Sequence, residues 1–453
     1  MRKNKFLRNI ICAPIIAGLL LSGCNILEEL GLQEKETYIQ IEKKPVTVGQ
    51  YKETKLDYGY SILENDAQKQ LYKSLEQAVW NISDTIGEDN LYAVDEIFLE
   101  NTKMTKTDII VTMEAFNCDN PELFWLSYSF GYNIQGESTY VYLYSQYSSD
   151  KVKTMQNEIK NAVNDFFSDI PAKLSEYDRE LFVHNKLLNS CVYADGVSTT
   201  KDNPTAFSVY GALIDNKAVC EGYTKSMQYL LKLVGIKSIS VNGYSKNTLH
   251  EWCMVNIDDN WYHLDATWND RENKDNATDN DTKKNDKEKN NTEKQEDTVM
   301  HTYFNVSDSF IKGDHTIADN YSKMSEKELS GTGTQTLFNL PLPECKSETL
   351  SYYNVRGGVL KNLDDYKSYS KIVDNLCKVA KDKENYFYLK LNNKLDFKKT
   401  TDKLFYKDPY QFFDYTDDVN RIIDTDYKIS DSLSIIPFKE QSLIVINLAY
   451  DKK

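Results

Sequence analysis

The stretch AVCEGYTKSMQYLLKLVGI, residues 218–236, sets the frame for the whole chain. Cys220, Tyr223, Met227, Leu230, Leu231 and Val234 recur at helical spacing on one face, and Gly235 follows as the residue that caps such a helix. Cys220 falls in the first turn. Unpaired backbone N–H groups and the positive end of the helix dipole favour a thiolate there, lowering a pKa that is ordinarily about 8.5. By default a cysteine in that position is a small buried residue, so its neighbours decide whether it does chemistry.

Those neighbours lie in TLHEWCMVNIDDNWYHLDATW, residues 248–268. The pattern predicts two strands around an Asp258-Asp259 turn, with His250, Trp252 and Met254 on one face and Leu249, Cys253, Val255 and Ile257 on the other. Pairing Ile257 with Asn260 sets His250 opposite Thr267 and makes Asp265 its diagonal neighbour, about 7–8 Å away by backbone and within side-chain reach. A register slip of one residue would put them on opposite faces. An imidazole that takes the thiol proton and later protonates a leaving group needs a carboxylate to fix its tautomer and stabilise its cation. Cysteine, histidine and aspartate in this order suit acyl transfer.

Further motifs stand in a fixed order: Gly211-Ala212-Leu213, Ala218-Val219-Cys220-Glu221-Gly222-Tyr223, His250-x-Trp252, Trp261-Tyr262-His263-Leu264-Asp265-x-Thr267-Trp268 and Tyr303-Phe304-Asn305-Val306-Ser307-Asp308. Together they resemble the bacterial transglutaminase-like domain over about residues 175–320, and Asp119-Asn120-Pro121-Glu122-Leu123-Phe124-Trp125 is similar to the region preceding it in related lipoproteins. The resemblance implies a papain-like core with Cys220 as nucleophile, His250 as general base and acid, and Asp265 as its orienter. Trp252 is a candidate for contact with substrate. The family includes protein cross-linkers, peptidases, amidases and inactive relatives. Cys253 stands where many relatives carry asparagine, and a long polar run follows Asp265. The Cys220 backbone N–H is a natural oxyanion donor, and no side-chain partner for it is assigned.

A chain of 453 residues fits two or three domains. Its 40% hydrophobic and 12% aromatic content, with 32 tyrosines, is that of a folded protein rather than a disordered one. The formal charge of −15 becomes −19 once Arg2, Lys3, Lys5 and Arg8 are removed. Nucleic acid is excluded as an expected partner, because phosphate binding needs a basic surface.

That removal is expected. A basic start, an apolar run from Ile10 to Leu21 and the ending Leu21-Ser22-Gly23-Cys24 read as a signal peptide, residues 1–24. The run falls short of the roughly 20 apolar residues of a spanning helix, and its ending resembles a bacterial lipobox in which Cys24 takes lipid. The expected localisation is the extracytoplasmic face of a cell membrane. Of the eight cysteines, Cys118, Cys191, Cys253, Cys345 and Cys377 then remain beside Cys220, an odd number that cannot all pair internally.

Outward from the centre, residues 25–57 read as a tether and 58–171 as an N-terminal α+β domain. In the latter, Leu71, Leu75, Val79, Ile82 and Ile86 share a helical spacing ended by Gly87, and 109–116 and 152–170 carry two further helical patterns. Strands are expected at 123–132 and 139–147. The transglutaminase-like domain spans 172–325, with a polar, loop-like insertion at 269–298. A C-terminal α+β domain, 345–453, has a helix near 364–381, a strand at 386–390 and a closing hairpin at 433–438 and 443–448.

His184 reads as a packed helix residue and His263 as a neighbour of the site. His301 and His315 have no metal-ligand spacing, and neither H-E-x-x-H nor C-x-x-C occurs, so no metal and no cofactor are expected. The expected substrates are proteins or peptides, including wall peptides, with hydrolysis preferred to amine transfer because water needs no acceptor site. The alternative is a surface binding or scaffolding lipoprotein that keeps the fold.

Overall fold

The computed structural model describes residues 9–12, 37–87, 90–270, 299–329, 337–408 and 410–453. Cys24 and residues 271–298 lie outside them, so the lipidation site and almost all of the polar insertion are not among the described residues. The chain divides into two compact units: Met1–Met254 with Thr316–Pro343, and Val255–His315 with Glu344–Lys453. The division falls inside a strand, Thr248–Ile257. The architecture is α+β throughout.

In the first unit seven strands form one sheet: β1 (Asn9–Cys12), β2 (Tyr38–Gln40), β3 (Asn81–Ile86), β4 (Tyr92–Val94), β5 (Ile97–Leu99), β6 (Leu126–Gln135) and β7 (Ser138–Ser145). Their order is β1-β6-β7-β4-β3-β2, with β5 also on β7; β1 lies within residues 1–24, so removal of the expected signal peptide would leave β6 at that edge. The helices of this unit include α1 (Tyr58–Ser61), α2 (Asp66–Ala78), α3 (Lys106–Asp119), α4 (Ser149–Phe166), α5 (Glu176–Ser190), α6 (Val209–Leu213) and α7 (Cys220–Leu233). Asn65 and Thr105 begin α2 and α3 with reciprocal capping boxes, Asn65 with Gln68 and Thr105 with Asp108.

Two sequence expectations change here. The helix through Leu71 and Leu75 stops at Ala78, and Ile82 and Ile86 belong to β3. A spacing of four keeps two residues on one face of a helix and of a strand alike; pairing with β2 and β4 settles the choice. Residues 37–57, expected as part of a tether, instead supply β2 and bury Ile41, Val46, Val48 and Leu56. Apolar residues without a period gave no sign of this.

A two-residue parallel pair, β8 (Val192–Tyr193) with β9 (Lys217–Ala218), precedes α7. After α7 come β10 (Lys237–Ser245), β11 (Thr248–Ile257), β12 (Asn260–Leu264) and β13 (His315–Ile317). Asp258 and Asp259 both adopt positive φ, 48° and 61°, as a two-residue type I′ hairpin turn requires. The turn expected from the sequence is therefore present. The strand does not extend as far as extrapolated: β12 ends at Leu264 and Asp265 caps a short helix, α8 (Ala266–Asn269). Thr267 lies in that helix rather than on a strand.

In the second unit β14 (Gly358–Leu360), β15 (Tyr386–Leu391), β17 (Ser434–Phe438) and β18 (Leu443–Asn447) form the sheet β14-β15-β18-β17, parallel only at β14–β15. Helices Tyr366–Lys381 and Phe412–Ile422 add Ile372, Leu376, Phe412 and Val419 to its core. The expected hairpin is there but does not close the chain: β19 (Tyr450–Lys452) follows and pairs with β16 (Tyr427–Ile429).

Gly222, in the first turn of α7, sets how closely that helix docks. A Cβ there would stand 2.3 Å from the carbonyl oxygen of Ala206 and 2.9 Å from the Ala218 Cβ. A Gly222→Ala substitution is therefore expected to cost about 1–3 kcal/mol through overpacking, seen as a lower melting temperature with the fold retained by circular dichroism.

Candidate active site

Cys220 opens α7 behind an N-cap, Val219, that provides no side-chain capping bond. The first-turn N–H groups of the helix therefore have no side-chain oxygen from their own cap, the arrangement that favours an anion at this end. Cys220 is 6% exposed. One turn on, Thr224 locks the helix to β11: its hydroxyl donates to the Glu251 carbonyl at 3.1 Å, and the Cys253 thiol donates to the Thr224 carbonyl at 3.4 Å. Glu251 and Cys253 flank Trp252 within three residues of His250, so the cysteine helix packs on the strand that bears the histidine. Sequence spacing predicted each element; the Thr224 bonds join them.

His250 is 8% exposed and stacks on Trp252, ring centroids 5.8 Å apart at 20°. Trp252, expected to face substrate, is 1% exposed. Its ring fits over Gly243, where a Cβ would lie 2.8 Å from an indole carbon. Trp252 is thus a buried support for the imidazole rather than a surface that meets substrate.

The polar face of α7 reaches a buried charge cluster. Lys225 Nζ lies 2.6 Å from Glu221 Oε1 and donates to the Tyr128 hydroxyl at 2.9 Å, while Tyr128 also donates to Glu221. Glu114 accepts from Asn242 at 3.2 Å. Burial pushes the Glu114 carboxyl up to about 7 and holds Glu251 well above the usual carboxylate range, with the Glu221 charge adding to both. One lysine cannot offset three ionised glutamates in a low-dielectric interior, so the cluster retains protons.

In the second unit Asp265 is fully buried. Its Oδ1 accepts the Trp268 N–H at 2.9 Å, and its Oδ2 lies 3.0 Å from Nε2 of His315. The other ring nitrogen of His315, Nδ1, is 2.6 Å from Asp314, whose second oxygen accepts from the Tyr303 hydroxyl at 2.5 Å. Burial alone would lower the His315 pKa; hydrogen bonds to Asp265 and Asp314 outweigh it and raise the value to about 9. His315 is therefore an imidazolium at neutral pH, held between two carboxylates. Sequence reasoning set it aside for lack of metal-ligand spacing. The one available signal was its adjacency to Asp314, which is too common a pair to single out.

Two outcomes follow from these environments. Glu114, raised above its unfolded value, contributes stability that is complete below pH about 4.5 and is lost as pH rises through about 7. Glu114→Gln should remove that loss, leaving the variant more stable than wild type above pH 7, by on the order of 3 kcal/mol at most; urea unfolding across pH reads it. For His315 the contribution is complete below about 6.5 and is lost as pH rises through about 9. Its ring resonances in NMR titration should move near pH 9, and Asp314→Asn should shift that midpoint down.

A family model described as the transglutaminase-like superfamily matches residues 167–266, an interval containing Cys220, His250 and Asp265. Among solved structures, a TGase shares 16% identity over 31% of this chain and 43% of its own, with TM-score 0.22. A proposed cysteine protease from Cytophaga hutchinsonii shares 15% over 31% of this chain and 56% of its own, with TM-score 0.21. The chain thus spans about half the length of these two. No curated protein matches it. Residues 167–266 are a domain of the transglutaminase-like superfamily.

Proposed function

We propose that this domain carries out cysteine-dependent acyl transfer on peptide or amide substrates, with Cys220 as nucleophile, His250 as proton acceptor and donor, and Asp265 as the carboxylate that orients the imidazole. The observation that carries the reading is the start of α7: Cys220 occupies a first turn without a side-chain cap, on a helix that Thr224 fastens to the strand of His250. A thiolate is favoured at that helix end, and an imidazole on the adjoining strand is the group to take its proton. The thiolate attacks the carbonyl carbon, His250 protonates the departing amine, and a thioester on Cys220 remains. Water or a second amine resolves it, returning the thiol. Hydrolysis is the preferred outcome, since water needs no acceptor site.

The Cys24 motif supports a lipid-anchored protein on the extracytoplasmic face of a membrane, and that location supports surface proteins or wall peptides as substrates. Cys220 alkylation by iodoacetamide, followed by mass spectrometry across pH, tests the catalytic reading. Cys220 is expected to react well below pH 8.5, and His250→Ala should move its reactivity towards that of an ordinary thiol. Equal reactivity in both proteins, or an inert Cys220, would replace the enzyme by a surface binding module on the same fold.

A further inference from the structure

Three residues far apart in sequence meet inside the second unit. His263 on β12, Asp308 at the start of the short helix Asp308–Ile311, and Cys345 each place one donor atom within 4.8 Å of the other two. We propose that His263, Asp308 and Cys345 form a zinc-binding site, with a fourth position open to water or solvent.

Nitrogen, carboxylate oxygen and thiolate sulfur form a donor set suited to Zn²⁺ and its substitute Co²⁺, whereas Mg²⁺ and Ca²⁺ take oxygen ligands. Zinc bonds of about 2.0–2.3 Å are within reach of these donors after small side-chain movements. The His263 Nε2 to Asp308 Oδ1 distance is 2.9 Å, so this hydrogen bond opens slightly as the metal enters. Charge also matches the surroundings. A thiolate and a carboxylate neutralise the divalent ion, and a neutral imidazole adds none, so the bound cluster carries no net charge where His263 is fully buried and Cys345 is 1% exposed.

The backbone already holds the donors in place. His263 and Val306 exchange N–H···O bonds of 2.9 and 3.0 Å. The Asp308 N–H donates to the Cys345 carbonyl at 2.8 Å, and the Cys345 N–H donates to Asp308 Oδ2 at 3.2 Å. That last bond orients the carboxylate with Oδ1 towards His263, as an outer-shell donor does at a metal centre. The Asp308 side chain is 30% exposed, which leaves a route for the ion and room for a fourth ligand. Cys345 is a free thiol, so its sulfur is available. Binding replaces the Cys345 S–H bond by a Zn–S bond and releases that proton to solvent.

The test is titration of the metal-free full chain with Zn²⁺ and with Co²⁺. One equivalent of either should bind, with a thiolate-to-cobalt charge-transfer band in the near ultraviolet, one proton released and a higher melting temperature. Cys345→Ser should abolish the band. Asp308→Asn, a half-exposed and nearly isosteric change, should weaken Zn²⁺ by more than about tenfold with the fold intact by circular dichroism. Cys220→Ser should keep both band and stoichiometry. Failure of the folded wild type to bind one equivalent, survival of the band in Cys345→Ser, or its loss in Cys220→Ser would each overturn the proposal.

Discussion

The close docking of the first turn of α7 is the contact on which the first unit depends. Gly222 lies against the Ala206 carbonyl where no side chain fits, and the Val219 N–H donates to that same oxygen at 3.0 Å. With the helix start pinned, its direction is fixed, and Thr224 and Gln228 find backbone carbonyls on other elements, those of Glu251 and Cys118. Placing a thiol to within a fraction of an ångström needs such a rigid mount, because nucleophilic catalysis tolerates little error in position.

The same helix departs from an ordinary amphipathic one. Its polar positions are buried along with its apolar ones: Glu221, Thr224, Ser226 and Gln228 are each at most 2% exposed. Three of them have partners: Lys225 and Tyr128 for one oxygen of Glu221, and backbone carbonyls for Thr224 and Gln228. The second unit repeats the principle around Asp265, whose two oxygens accept from Trp268 and face His315. In both units the groups nearest the candidate catalytic residues are fixed by hydrogen bonds rather than by apolar packing alone. Such bonds specify direction, which hydrophobic contact does not.

The sequence by itself determined the elements that carry the chemistry. Helical periodicity placed Cys220 in the first turn of a helix, alternation with an Asp-Asp turn gave the β11–β12 hairpin, and the ordered motifs gave the transglutaminase-like domain. Local patterns could do this because backbone propensity and side-chain period act over a few residues. They failed where two periods coincide, as at Ile82 and Ile86, and where a strand was extended past its end, as at Asp265 and Thr267.

Only the tertiary structure decided which polar groups meet. That Trp252 lies beneath His250, that His315 is an imidazolium between Asp265 and Asp314, and that His263, Asp308 and Cys345 converge could not be read from spacing. His263 and Asp308 are 45 residues apart in sequence, and Asp308 and Cys345 are 37. Contacts at such separations are chosen by how whole elements pack, and the cost of burying an ionisable group is met by partners that no local window contains.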